Sequence, residues 1–278
     1  MEKLSFFNRI AMAFVLVAGL MLTACNPDGP TQIAEEDQEL AELDAMVEAT
    51  FEEVDNISYE GMDEAFGRDY QTPGVGTLSP CVVVTHDTVS KILTLDFGTG
   101  CVGNDGKTRA GKIVIDYTQR LWRPGATMTV TLDSFYVDSL HIEGTKTHTN
   151  LATSFNDPIT LNTTLVGGQI TWPDGTSATR TFDRTRTWNR APNPAMDELI
   201  ITGTASGTRR NGVNFTTTIL TPKVYRRACR AQGIHIAAEG VVEIQRTGKP
   251  TVTVDYGNGS CDTDITLTVN GQSTTITL

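Results

Sequence analysis

Trp172-Pro173-Asp174-Gly175-Thr176, followed by Ser177-Ala178-Thr179-Arg180-Thr181-Phe182-Asp183-Arg184-Thr185-Arg186-Thr187-Trp188-Asn189, is the stretch that decides the fold. Pro-Asp-Gly suits a tight reversal, because Pro presets its backbone angle and Asp and Gly tolerate what a turn demands. Beyond it the chain alternates. Even positions read Arg180, Phe182, Arg184, Arg186, Trp188 and Arg190; odd positions read Thr179, Thr181, Asp183, Thr185 and Thr187. Successive side chains of a strand point to opposite faces, so one face of this strand is a cationic and aromatic ladder. With residues 158–172 ahead of the turn, the unit is a long antiparallel hairpin.

The same texture extends in both directions. From Cys81 onward short runs rich in Val, Ile and Thr alternate with turn signals, and β-branched side chains sit well on a pleated surface. Strands are expected at 81–86, 91–97, 111–121, 126–137, 140–153, 158–172, 177–189, 198–208, 213–221, 223–229, 234–246, 250–256, 262–269 and 273–278. Asn104-Asp105-Gly106, Arg123-Pro124-Gly125, Arg210-Asn211-Gly212 and Val269-Asn270-Gly271-Gln272 add further reversals. Strands joined this way are antiparallel neighbours. The expected fold is therefore mainly β, a meander of long hairpins forming an extended sheet, a sandwich or a partly closed barrel, with one N-terminal helix.

A repeat frames the meander. Val82–Gly98 aligns without a gap to Val241–Gly257, matching Val82/Val241, Val83/Val242, Thr88/Thr247, Thr94/Thr253, Asp96/Asp255 and Gly98/Gly257. Both copies end in a Gly-rich turn and a cysteine, and duplication or a local solution reached twice would each produce this.

Charge is concentrated near the N-terminus. Between Asp28 and Asp69 lie fifteen acids against Arg68 alone, whereas residues 70–278 hold 17 acids and 19 bases. Neither part carries the positive field that nucleic-acid binding requires. Within the acidic part, Ile33, Leu40, Leu43, Val47, Phe51 and Val54 recur at helical spacing, so an amphipathic helix is expected over 33–56, with Thr31 at its start and acids filling the other faces. Its stripe would lie on the β domain or dock a partner. Gly61, Gly67, Pro73, Gly74, Gly76 and Pro80 read residues 57–80 as a linker, and 81–278 as the β-rich domain.

The first residues are of another kind. Lys3 and Arg9 precede an apolar run, Ile10 to Leu22, shorter than the roughly 20 residues that span a bilayer, so residues 1–24 read as a secretory signal. Leu22-Thr23-Ala24-Cys25 resembles a bacterial lipobox, which implies that Cys25 is acylated and begins the mature chain. Residues 25–32, with Pro27, Gly29 and Pro30, then form a tether. The lipobox, acidic helix, Thr-rich hairpins and cystine-bracketed Asp-[Phe/Tyr]-Gly-x-Gly turns together resemble Bacteroidota-type lipoproteins of uncharacterised function. The resemblance implies outer-membrane attachment through lipid, on the periplasmic or the cell-surface side, and brings no activity or catalytic residues to carry over.

With Cys25 assigned to lipid, Cys81, Cys101, Cys229 and Cys261 remain in an oxidising compartment where pairing is expected. Four cysteines allow three connectivities; Cys81 with Cys101 and Cys229 with Cys261 is the expected one, since each pair brackets a short β segment.

Candidate sites are few. The ladder Arg180, Phe182, Arg184, Arg186, Trp188 and Arg190 offers planar guanidinium forks and rings to an acidic glycan, or else covers apolar neighbours with its stems, and Trp172 is expected on the adjacent strand. Asp96, Asn104 and Asp105, with Asp255, Asn258, Asp262 and Asp264, carry oxygen ligands of the kind Ca²⁺ takes, but the spacing matches no complete calcium loop and turns use the same residues. No other cofactor is expected. Asp133, Ser134 and His141 contain the types of a hydrolytic triad without its geometry, and Asp116, Asp133, Asp138 and Glu143 are the carboxylates a glycan-active enzyme would have to pair. The expected role is a non-enzymatic one in the envelope, binding an envelope protein or glycan or serving structure. The alternatives are an apolar-ligand carrier on a curved sheet, which needs a deep apolar pocket, and an enzyme acting on glycans, which needs clustered carboxylates in a cleft.

Overall fold

A computed structural model describes residues 33–66 and 78–278 of the chain. The signal, Cys25, the tether with Thr31, and most of the expected linker lie outside the described residues. The described residues open with one long helix, α1 (Glu35–Phe66), and then run through β1 (Val83–Asp87), β2 (Ile92–Asp96), the short β3 (Cys101–Val102), β4 (Thr108–Tyr117), β5 (Thr127–Val137), β6 (Leu140–Asn150) and β7 (Ile159–Thr171). They continue with β8 (Ser177–Asn189), β9 (Glu198–Thr208), β10 (Asn214–Arg226), a single helical turn α2 (Arg227–Arg230), β11 (Glu239–Arg246), β12 (Lys249–Asn258), β13 (Asp264–Val269) and β14 (Gln272–Thr277).

All strands belong to one antiparallel sheet in which sequence neighbours are spatial neighbours, with β3 set aside on β4. Neither a second sheet nor closure of β1 on β14 occurs among the described residues, so of the three expected forms the extended open sheet is the one adopted. Register shifts interrupt β4, β5, β6, β7 and β10, and such bulges bend a strand and increase its twist. Gly111 shows why one of them needs its residue: at φ +81° it faces Ser134 so closely that a Cβ would lie 1.9 Å from the Ser134 carbonyl oxygen.

The sheet curves around α1, because that helix touches strands near both ends. Val47, Phe51, Val54, Ile57 and Met62 share a core with Leu93, Leu95, Ile113, Ile115, Met128 and Leu165. Ile33, Leu40 and Ala41 share another with Val242, Ile244, Val252, Val254, Ile265 and Leu267. The expected stripe is thus buried within the chain itself. Acids, however, do not all stay on the outer faces: Asp37, Asp44 and Asp55 are buried with it.

Several boundaries differ from expectation, β4 for instance spanning Thr108–Tyr117 rather than 111–121. The helix continues past residue 56 to Phe66, because Ile57, Ser58, Gly61 and Met62 pack inward. Gly61, which reads as a breaker, lets the helix approach β2 so closely that a Cβ would sit 2.7 Å from Leu95 Cδ1. Residues 213–221 and 223–229 form one strand rather than two, Pro222 being accommodated where the ladder skips, and the chain after Arg226 turns helical before β11 starts at Glu239.

The repeat is only half kept. On the second strand Leu93 and Leu95 match Val252 and Val254, all buried, and Asp96 and Asp255 each accept a 2.8 Å hydrogen bond from the amide two residues on, Gly98 or Gly257. The first strands are one residue out of step, since Asp96 faces Val83 whereas Asp255 faces Val241. A one-residue slip exchanges the faces, and exposed Val83 therefore corresponds to buried Val242.

Candidate functional site

The inner face of the sheet is apolar toward both ends and cationic in the middle. There β6, β8 and β10 present Lys146, His148, Arg180, Arg184, Arg186 and Lys223, all buried. The ladder read from the sequence faces α1. Asp44 accepts from Arg180 at 2.9 Å, and both oxygens of Glu48 accept from the fork of Arg184 at 3.2 Å, while Glu48 also pairs with Lys223. Glu52 accepts from both terminal nitrogens of Arg186, one at 2.8 Å. Asp55 meets Lys146 at 2.5 Å, His148 Nε2 at 3.2 Å and Arg186 at 3.3 Å. Nearer the helix start, Arg246 pairs with Asp37 at 2.7 Å.

Geometry allows the match. Residues four apart on a helix advance about 6 Å, and residues two apart on a strand about 6.6–6.8 Å, so Glu48 and Glu52 keep pace with Arg184 and Arg186. Arg180, four residues before Arg184, reaches Asp44 and also Glu48. Rings cushion the stems, with Arg184 4.7 Å from the Phe182 ring centroid and Arg180 5.6 Å from that of Phe215. Burial would push the Glu48 carboxyl up, yet Arg184, Lys223 and Arg180 hold it well below its ordinary value. Asp55 behaves likewise against its own burial, through Lys146, His148 and Arg186. Burial drives the His148 imidazole down instead, toward the neutral form.

This arrangement corrects the glycan-ladder expectation. Arg180, Arg184 and Arg186 are buried, their forks filled by the chain's own carboxylates, and Phe182 is buried with them, so the cationic face is not presented to an acidic glycan. Trp188 keeps only an edge, on an apolar nook. Only Arg190, over the Trp188 ring at 5.2 Å, lies at the exposed end. Trp172 sits beside the turn under Arg210, remote along the strand from Trp188, which pairs with Ile159.

The remaining candidates resolve locally. Asp105 pairs with Arg109 at 2.6 Å, Asp262 accepts from the Asp264 amide at 3.1 Å, and Asp264 accepts from Thr277 Oγ1 at 2.6 Å. With Asp96 and Asp255 engaged in their turns, each acid serves a nearby backbone amide, a hydroxyl or a basic neighbour, and no cluster of three metal-ligating side chains occurs among the described residues. Ser134 Oγ lies 3.3 Å from Asp133, but His141 stacks on Tyr136 at 4.6 Å, so those residues assemble no triad. The cysteines pair as expected, Cys81 with Cys101 and Cys229 with Cys261.

What stays open is a cleft along α1 that sequence reasoning missed. Its floor is the helix face bearing Glu48, Glu52, Asn56 and Glu60. One bank comes from the segment stapled by the first disulfide, with Phe97, Asp105 and Arg109; the other comes from the segment around the second, with Tyr225, His235 and Tyr256. Phe97 and Tyr256 occupy corresponding positions of the repeat, so the duplicated Asp-aromatic-Gly turn was the available signal. The cleft encloses about 470 Å³ and shares Glu52, Asn56, Tyr225 and His235 with a neighbouring apolar nook of about 110 Å³. Tyr59, Trp122 and Trp188 line the nook, with Tyr59 and Trp122 ring centroids 5.5 Å apart and Trp122 and Trp188 5.9 Å apart.

Most charges around the cleft are spoken for. Glu53 holds Arg109 at 2.5 Å and Lys107 at 2.5 Å, in addition to the pairs of Glu48 and Glu52. Glu60 is the exception: burial raises its carboxyl to about 7, although Arg109 and Arg230 pull it down. His235 is pushed down by burial and by Arg230 and Lys107. No family model, no curated protein and no solved structure matches this chain.

Proposed function

We propose that the chain is a lipid-anchored, non-enzymatic binding protein of the cell envelope, held at the outer membrane by acylated Cys25 and presenting the cleft beside α1 to a small ligand. The observation that carries this reading is that α1 fills the sheet's concavity while the two cystine-stapled segments leave a cleft open along it. A pocket of this size falls within the ~300–1,000 Å³ usual for ligand sites. An apolar carrier would need the concavity itself, where Val47, Phe51 and Val54 already sit. A glycan-cleaving enzyme would need two unencumbered carboxylates, and among the cleft carboxylates Glu48, Glu52, Glu53 and Asp105 are each bound to a base. No helix among the described residues is long and apolar enough to cross a membrane, in keeping with attachment by lipid.

Cell fractionation of Cys25→Ser tests the anchor. The variant should move to the soluble fraction with both disulfides intact; retention in the membrane would contradict the reading.

A further inference from the structure

Five polar side chains converge on the cleft without a hydrogen-bond partner among the described residues: Asn56 and Glu60 from α1, and Tyr225, His235 and Tyr256 from the bank opposite Phe97. Their chemistry is shared. The amide of Asn56, the two phenols and the neutral imidazole can each both donate and accept a hydrogen bond, as the Glu60 carboxyl can in its protonated form. The ionic groups around them are already paired within the protein, so the cleft keeps no surplus charge of one sign aimed at a ligand. A lining of uncharged groups that donate and accept suits a ligand built of hydroxyls, since each hydroxyl also gives one proton and takes two. Flat rings of Phe97, Tyr225 and Tyr256 offer apolar surface to the carbon face of such a ligand. The adjoining nook, walled by Tyr59, Trp122 and Trp188, is apolar and has room for a small substituent such as a methyl group.

We infer that the cleft binds a neutral saccharide, and among these an N-acetylated hexose in preference to the parent hexose, with the acetamido methyl seated against Trp122 and Trp188. This rests on the binding reading given above and narrows it to a ligand class. It differs from an acidic-glycan ladder, because the arginines suited to anions are sealed beneath α1.

The test is calorimetric titration of the mature chain carrying Cys25→Ser with N-acetylglucosamine, glucose and glucuronate, together with intrinsic tryptophan fluorescence. N-acetylglucosamine should bind, and glucose about fourfold more weakly, the value of one buried methyl group. Glucuronate should bind no more tightly than glucose. Asn56→Ala and Tyr256→Phe should each weaken N-acetylglucosamine severalfold at unchanged melting temperature, and Trp122→Phe should diminish the fluorescence change, leaving the part that Trp188 reports, since Trp172 lies elsewhere. Tighter binding of glucuronate, binding unaffected by both Asn56→Ala and Tyr256→Phe, or no heat and no fluorescence change with any of the three would overturn the inference. If the protein instead takes up a short uncharged peptide at the same residues, the saccharide class fails while the binding role stands; if Cys25→Ser stays in the membrane, the anchor fails independently of any sugar result.

Discussion

Helix α1 meets the sheet through two kinds of seam. At its ends the contact is apolar, Ile33 and Leu40 on β11–β13 and Phe51 to Met62 largely on β2–β7, whereas between and beside these Asp44, Glu48, Glu52 and Asp55 stand on arginines and lysines. Apolar contact is non-directional and scales with buried area, so it would stabilise the helix in several neighbouring positions. The charged seam is selective. Two charges taken from water are costly unless each finds its partner, and one turn of slippage would set Glu48 where Glu52 belongs, with Asp44 and Asp55 displaced from their partners as well. The difference teaches that the apolar seams supply most of the stability and the charged seam the register.

The largest effect should come from breaking the charged seam on one side. Glu48→Leu strands Lys223 in the interior, leaves Arg184 only a 3.8 Å contact to Glu52 and takes one of the two partners of Arg180. It should cost about 3–5 kcal/mol in urea unfolding. Phe51→Ala, which opens a cavity in an apolar seam, should cost a comparable ~3–5 kcal/mol but leave the helix in register, visible as unchanged near-ultraviolet dichroism from Trp122 and Trp188. Gly61→Val, which forces the helix off Leu95, should cost about 1–3 kcal/mol by overpacking.

Acid should separate the seams without mutation. The Glu48, Glu52 and Asp55 carboxyls are held below their ordinary values, so their stabilisation is complete above those values and is lost as pH falls. Buried His148, whose imidazole is depressed from 6.5, adds a loss of the same sign starting higher. Glu60 acts in reverse: raised from 4.5 to about 7, it binds its proton more readily in the folded chain and lowers stability as pH rises between those values. Glu60→Gln should remove that decline, the smallest of these effects, measured as melting temperature against pH.

Much of this was legible in the sequence, and the reasons are local. Pro173-Asp174-Gly175 and the alternation after it specify a hairpin wherever they occur, and the hairpin from 158 to 189 formed as read, β7 and β8 ending within a residue of expectation. The antiparallel meander followed from successive reversals, whereas its form as an open sheet rather than a sandwich or barrel did not, because turns fix neighbours and not closure. Gly61 and Pro222 misled, because tertiary packing overrode a breaker in one case and a bulge absorbed it in the other. The ladder was found but its partner was not: Asp44, Glu48, Glu52 and Asp55 recur every three or four residues, as arginines recur along residues 180–186, and each set alone looks like a solvated face. The cleft depends on segments more than a hundred residues apart, and only the repeated Asp-aromatic-Gly turn hinted that they meet.

A double-mutant cycle on Glu52 and Arg186 tests the ion-paired seam most directly. Glu52→Leu, Arg186→Leu and the double variant should give a favourable coupling of about 1–3 kcal/mol, the double costing less than the sum of the singles. Additive costs would mean that the helix acids and the strand arginines do not meet.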